Sequence, residues 1–179
     1  MFTKISHTYY LYLFIKSRIN DIMSKDLRKG MMMENKKMKF AVNAKTDGFA
    51  LTAKAGKHEL ILDESETMGG KNTGPNPMQT ALAALVSCEN VTANMAAREM
   101  YFDLKGMTIN VSGTFDPRGF MGDASVQPYF EEVTINVKVD TTESVERIQL
   151  IKEQVEARCP IYTLFKAAGV EMNDNWVKA

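Results

Sequence analysis

The sequence predicts an α+β domain in the order βββ-α-ββ-αα-β, built around one long buried helix. Three observations carry that prediction. Short stretches after Met38 alternate apolar and polar residues in period two. A long Ala- and Leu-rich run follows a helix-start signal at Asn76-Pro77. Two later stretches share the segment Thr-Ile-Asn-Val, after which apolar residues resume at helical spacing.

Phe40, Val42 and Ala44 alternate with polar neighbours, and Asp47-Gly48 marks a hairpin turn. Phe49, Leu51 and Ala53 keep the period, and Leu60 and Leu62 place a third strand after Gly56-Lys57. Met68 to Asn76 is a loop, and its Gly69-Gly70-Lys71 lacks the spacing and the Ser or Thr of a phosphate loop. Asn76 is an N-cap, Pro77 suits the first helical position, and Gln79 completes a capping box. The helix predicted from Pro77 to about Met100 is apolar nearly all round, from Ala81 to Val86 and on through Val91, Ala93, Met95, Ala96 and Ala97. Such a helix is buried rather than amphipathic, and its alanines permit close approach. A cover of sheet, with a second subunit as further cover, satisfies it.

Met107, Ile109, Val111 and Phe115 define the next strand, and Val133, Ile135, Val137 and Val139 the one after; both read as half-buried. Asp116 to Gln127 between them is long, with Pro117 and two glycines, and reads as a candidate lid. A helix starting near Thr142 aligns Val145, Ile148, Ile151 and Val155 on one stripe. Cys159-Pro160 breaks it, a short helix runs from Pro160 to about Ala168, and Val170 to Val177 forms the last strand.

Lysine plus arginine (22) balances aspartate plus glutamate (22), so no broad basic field points to nucleic acid. Residues 1–37 nevertheless carry net charge +5 and residues 38–179 net −5. The aromatic run Thr8 to Ile15 is followed by Lys16, Arg18 and Asp21 without a small-residue cleavage site, which argues against a secretory signal. An interfacial helix is one reading of this stretch. The preferred one is an extension outside a domain spanning 38–179. No stretch approaches the roughly 20 apolar residues of a membrane span, and no membrane partner is expected. Two cysteines are too few for a secreted disulfide framework, so a cytoplasmic location is expected. His7 and His58 with those cysteines lack metal-site spacing, and neither metal nor cofactor is expected.

Chemistry therefore rests on Cys88 and Cys159. Cys88 lies mid-helix among Ala84, Leu85, Val91 and Thr92, where composition alone reads it as a small, inert hydrophobe. Cys159 precedes Pro160 at a predicted N-cap, where free N–H groups and neighbouring Arg158 favour a thiolate. Taken alone, Cys159 leaves a reactive thiol and a packing residue both open.

Gly74-Pro75-Asn76-Pro77, then Cys88 within an Ala/Leu helix, then Cys159-Pro160, resembles the OsmC/Ohr family of osmotically induced and organic-hydroperoxide-resistance proteins. The resemblance covers residues 38–179 and leaves 1–37 unmatched. It implies an intertwined homodimer with active sites at the subunit interface, Cys88 as peroxidatic thiol and Cys159 as resolving thiol. A small hydroperoxide is then the substrate, and a dithiol the reductant that reopens the disulfide. In peroxidase members an arginine from the early strands, held by a glutamate near the start of the central helix, supports the thiolate. Here the glutamate position is Met78, Gln79 beside it is neutral, and no arginine lies between Met38 and Ala97. Lys54 or Lys57 are substitutes without the bidentate fork. Glu89 and Asn90 are expected to point away from the Cys88 face. Two functions follow: a thiol-dependent hydroperoxide reductase, favoured by the cysteine pair, and a non-peroxidatic small-molecule-binding relative, favoured by the missing Arg/Glu pair.

Overall fold

The computed structural model describes residues 37–179. Its helices and strands all lie in one compact unit, Val42–Ala179. The readings made of residues 1–36 fall outside the described residues.

The first three strands form an antiparallel meander of their own: β1 (Asn43–Asp47), β2 (Ala50–Ala55) and β3 (His58–Leu62). Asp47 pairs with Ala50 across a two-residue turn in which Gly48 takes φ 61, the left-handed region that glycine enters without steric cost. β1 begins at Asn43, not at Phe40 as the alternation suggests. Asn43 pairs with Lys54, and β2 ends one residue later at Ala55, so β2 offers no partner to residues before Val42.

A loop then leads to α1 (Pro77–Met100). Buried Asp63 organises it, accepting hydrogen bonds from the backbone N–H of Glu64 (2.8 Å), Lys71 (3.0 Å) and Thr73 (3.1 Å) and from the Thr73 hydroxyl (2.9 Å). Desolvation pushes this carboxyl up, but the hydrogen bonds outweigh it and hold it below its ordinary range. The loop folds back so tightly that a Cβ on Gly70 would lie 2.0 Å from the Glu64 carbonyl oxygen.

α1 begins as its sequence predicts. The Asn76 side chain accepts from the Gln79 N–H at 2.8 Å, and the Gln79 side chain accepts from the Asn76 N–H at 3.0 Å. It ends at Tyr101, whose φ of 50 breaks the helix; Arg147 donates to the freed carbonyls of Met100 (3.1 Å) and Tyr101 (3.3 Å).

The second sheet has the order β4-β5-β6, with β4 (Gly106–Thr114) antiparallel to β5 (Glu132–Asp140) and β5 parallel to β6 (Glu171–Lys178). A parallel neighbour requires a crossover, and α3 (Val145–Arg158) with α4 (Pro160–Ala167) supplies it. The segment read as a lid carries a single helical turn, α2 (Pro117–Phe120), capped by the Asp116 carboxylate. Ser144 caps α3, which therefore starts slightly later than the Thr142 region predicted.

Val133, Ile135, Val137 and Val139 point from one face of β5 into a core shared with Ile148, Ile151 and Val155 of α3 and with Leu85, Ala93 and Ala96 of α1. Each large aliphatic side chain buried there contributes about 1.5–3 kcal/mol. Within this chain α1 is buried along one stripe, whereas Val91 (55% exposed) and Met95 (40% exposed) stand open on another.

Candidate thiol active site

Cys88 sits on α1 at the edge of the buried stripe, one turn beyond Leu85 and one before Thr92, whose hydroxyl donates to the Cys88 carbonyl at 2.9 Å. Cys159 is fully buried at the hinge that closes α3 and opens α4. The geometry of that hinge is local. Pro160 has no N–H to continue α3 and a fixed φ suited to the first turn of α4, so the chain bends at Cys159. The Tyr162 N–H donates to Cys159 Sγ at 3.4 Å.

The packing of α4 on α1 brings the two free thiols near each other, although 71 positions separate them in sequence. Their settings are unequal. Cys88 is half-buried, and Cys159 is closed off. Burial pushes the Cys159 thiol up to about 11, opposed by the Tyr162 N–H and reinforced by Cys88. This corrects the expectation of a thiolate at that N-cap: in a short helix the N–H donors do not repay the loss of water. Nor does Arg158 serve the sulfur. Its guanidinium forks onto the Glu99 carboxylate of α1 at 2.6 and 2.8 Å.

Two further arginines are engaged as well. Arg147 pairs with Glu143 at 3.0 Å, and Arg118 with Asp116. Met78, at the position where the resemblance places a glutamate, lines an apolar cavity of about 260 Å³ with Ala81, Tyr129, Phe130, Leu164 and Phe165. Met78, Ala81, Leu85 and Cys88 follow one another at helical spacing, so Ala81 and Met78 of this cavity stand about 10 and about 15 Å of helix rise before Cys88.

Sequence reasoning missed Glu89. Expected to point away from the Cys88 face, it turns inward and is 1% exposed. Burial pushes its carboxyl up to about 8, and nearby Asp174 of β6 and Glu156 of α3 add to the effect. The Tyr162 ring of α4 closes the same space, with its hydroxyl toward Asp174. Asp174 is likewise shifted upward, chiefly by burial. A glutamate inside an otherwise apolar helix stripe, at Leu85 plus four and Ala93 minus four, is the signal that would have found it.

No group of side chains among the described residues has the arrangement of a metal site. No helix among them is long and apolar enough to cross a membrane.

These features define a class: an α+β protein whose central helix and carboxy-terminal helix pair bring two free cysteines together. A family model described as OsmC-like protein matches residues 70–173. The chain belongs to the OsmC-like family. It is 28% identical over 137 residues to a Mycoplasma genitalium protein named hydroperoxide reductase, covering 74% of this chain and 84% of that one. Among solved structures, the OsmC-like protein of Mycoplasma pneumoniae superposes with a TM-score of 0.70 at 20% identity, covering 80% of this chain and 99% of the other. The organic hydroperoxide resistance protein of Elizabethkingia anophelis does so with a TM-score of 0.61 at 16% identity, covering 80% and 99%. The fold expected from the sequence is thus the fold of this family.

Proposed function

We propose that the chain is a thiol-dependent hydroperoxide reductase in which Cys88 attacks and Cys159 resolves. The observation that carries this reading is the nearness of two unequal thiols, one half-buried and one enclosed with its pKa raised. The Cys88 thiolate attacks the terminal oxygen of the hydroperoxide, the O–O bond breaks, and the departing alkoxide takes a proton to leave as alcohol. The Cys88 sulfenic acid then condenses with the Cys159 thiol, forming the disulfide and releasing water. An external dithiol returns two electrons and two protons. A high pKa keeps Cys159 from competing for the peroxide, because thiolate is the nucleophile. The name of the Mycoplasma genitalium relative supports a peroxide-related activity.

The cytoplasm, where dithiol reductants are abundant, suits such a cycle. A homodimer fits the open apolar stripe of α1 and the exposed Phe49, Leu60 and Ile61 of the first sheet.

One observation favours a second reading, a binding protein without peroxidase turnover. Met78 lines an apolar cavity where the peroxidases carry a glutamate, and an ion pair there has no polar partner.

Cumene hydroperoxide added to reduced protein decides between them. Loss of two thiols per chain in the wild type, one in Cys159→Ser (as a trapped sulfenic acid) and none in Cys88→Ser establishes the reductase. Unchanged thiols together with thermal stabilisation by an apolar small molecule establish the binding protein.

A further inference from the structure

The geometry points to Glu89 as a positioning residue for the thiol pair: neutral, it lets α1 close on α4 and β6 and holds Cys88 within reach of Cys159; ionised, it forces them apart. The inference rests on the two cysteines being a reactive pair, not on a peroxide being their oxidant.

Glu89 follows Cys88 on α1 and is 1% exposed, and its Oε2 has no hydrogen-bond partner. The groups facing it come from each neighbouring element. Asp174 of β6 presents two further enclosed oxygens with the Tyr162 hydroxyl of α4 toward them, and Glu156 stands on α3. Lys152 of α3 is the cation at this place, and its Nζ is committed to the Asp174 backbone carbonyl at 3.1 Å and to Glu156 at 3.2 Å. A second negative charge here therefore has no countercharge in hand and faces two other carboxyl groups.

Tyr162 links this cluster to the sulfur chemistry. Its ring closes the acid cluster while its backbone N–H holds Cys159 Sγ. An ionised Glu89 is relieved by water, and displacing α4, whose Tyr162 closes this space, admits that water and carries Cys159 away from Cys88. Burial keeps the Glu89 proton in place at neutral pH, so the closed arrangement is the working one there.

The test is the rate at which diamide, which takes two electrons and two protons, joins Cys88 to Cys159, read by intact mass from about pH 6 to pH 10. In the wild type the rate should climb with thiolate formation and then level off above about pH 8, whereas Glu89→Gln should go on climbing, exceeding wild type by roughly fivefold at about pH 9.5 and matching it at about pH 6.5. Hydrogen exchange of the α4 amides, corrected for intrinsic rates, should show protection lost over the same range in the wild type alone. Parallel rate profiles for the two proteins overturn the inference. If Glu89→Gln does not fold, a wild-type rate that rises without levelling, with constant α4 protection, overturns it as well. A levelling diamide profile in a protein that ignores cumene hydroperoxide sinks the peroxidase reading and leaves this one standing.

Discussion

The two sheets of this molecule bury their residues very differently. On β5 every second side chain is sealed, from Val133 to Val139, because α1 and α3 lie over that face and β4 and β6 flank the strand. In the first sheet β1 is exposed at every position, and of the sixteen strand residues only Ala53 is buried. Both sheets alternate in the same way in sequence. The difference is that one alternation meets a helix face and the other meets no helix, only the loop after β3, among the described residues. A three-stranded sheet without cover is marginal in water, so β1–β3 gains its stability from a partner surface if the homodimer proposed above is right.

Substitutions on the two sheets put the comparison at risk. Ile135→Ala on β5 empties a fully buried site and should cost about 2–5 kcal/mol in urea unfolding, whereas Leu60→Ala on β3, already 49% exposed, should cost under about 1 kcal/mol in a monomeric state. Equal costs would mean that β3 is as well covered as β5. Charging both faces of β3 sharpens the point, since consecutive Leu60 and Ile61 project to opposite sides. Leu60→Asp with Ile61→Asp should halve the mass seen by light scattering while leaving the far-ultraviolet spectrum of the second sheet and helices intact. An unchanged mass removes the first sheet from the interface. The smallest effect belongs to the junction between the regions. Asn76→Ala deletes one half of the capping box and should cost about 0.5–2 kcal/mol, with Asn76→Asp restoring most of it.

Local signals were legible. Asn76, Pro77 and Gln79 fixed the start of α1 because a cap is settled by residues three apart. The alternation at Val133, Ile135, Val137 and Val139 named β5 and its inner face, and Cys159-Pro160 located the hinge between α3 and α4. What stayed hidden depends on neighbours far along the chain. Arg158 looked like a cation for Cys159 until Glu99 claimed it. The Cys159 N-cap looked like a thiolate site until burial outweighed its donors. Glu89 was expected to point away from the Cys88 face, and Tyr162 and Asp174 enclose it instead.

By itself the sequence determined the element order, the helix ends and the family, since periodicity, caps and turn residues act over a few positions. Only the tertiary structure decided that two sulfurs lie near each other, that burial raises the pKa of one of them, and that a glutamate lies buried beside them. Those outcomes follow from desolvation and charge contact, which depend on what packs across the chain and not on what stands next along it.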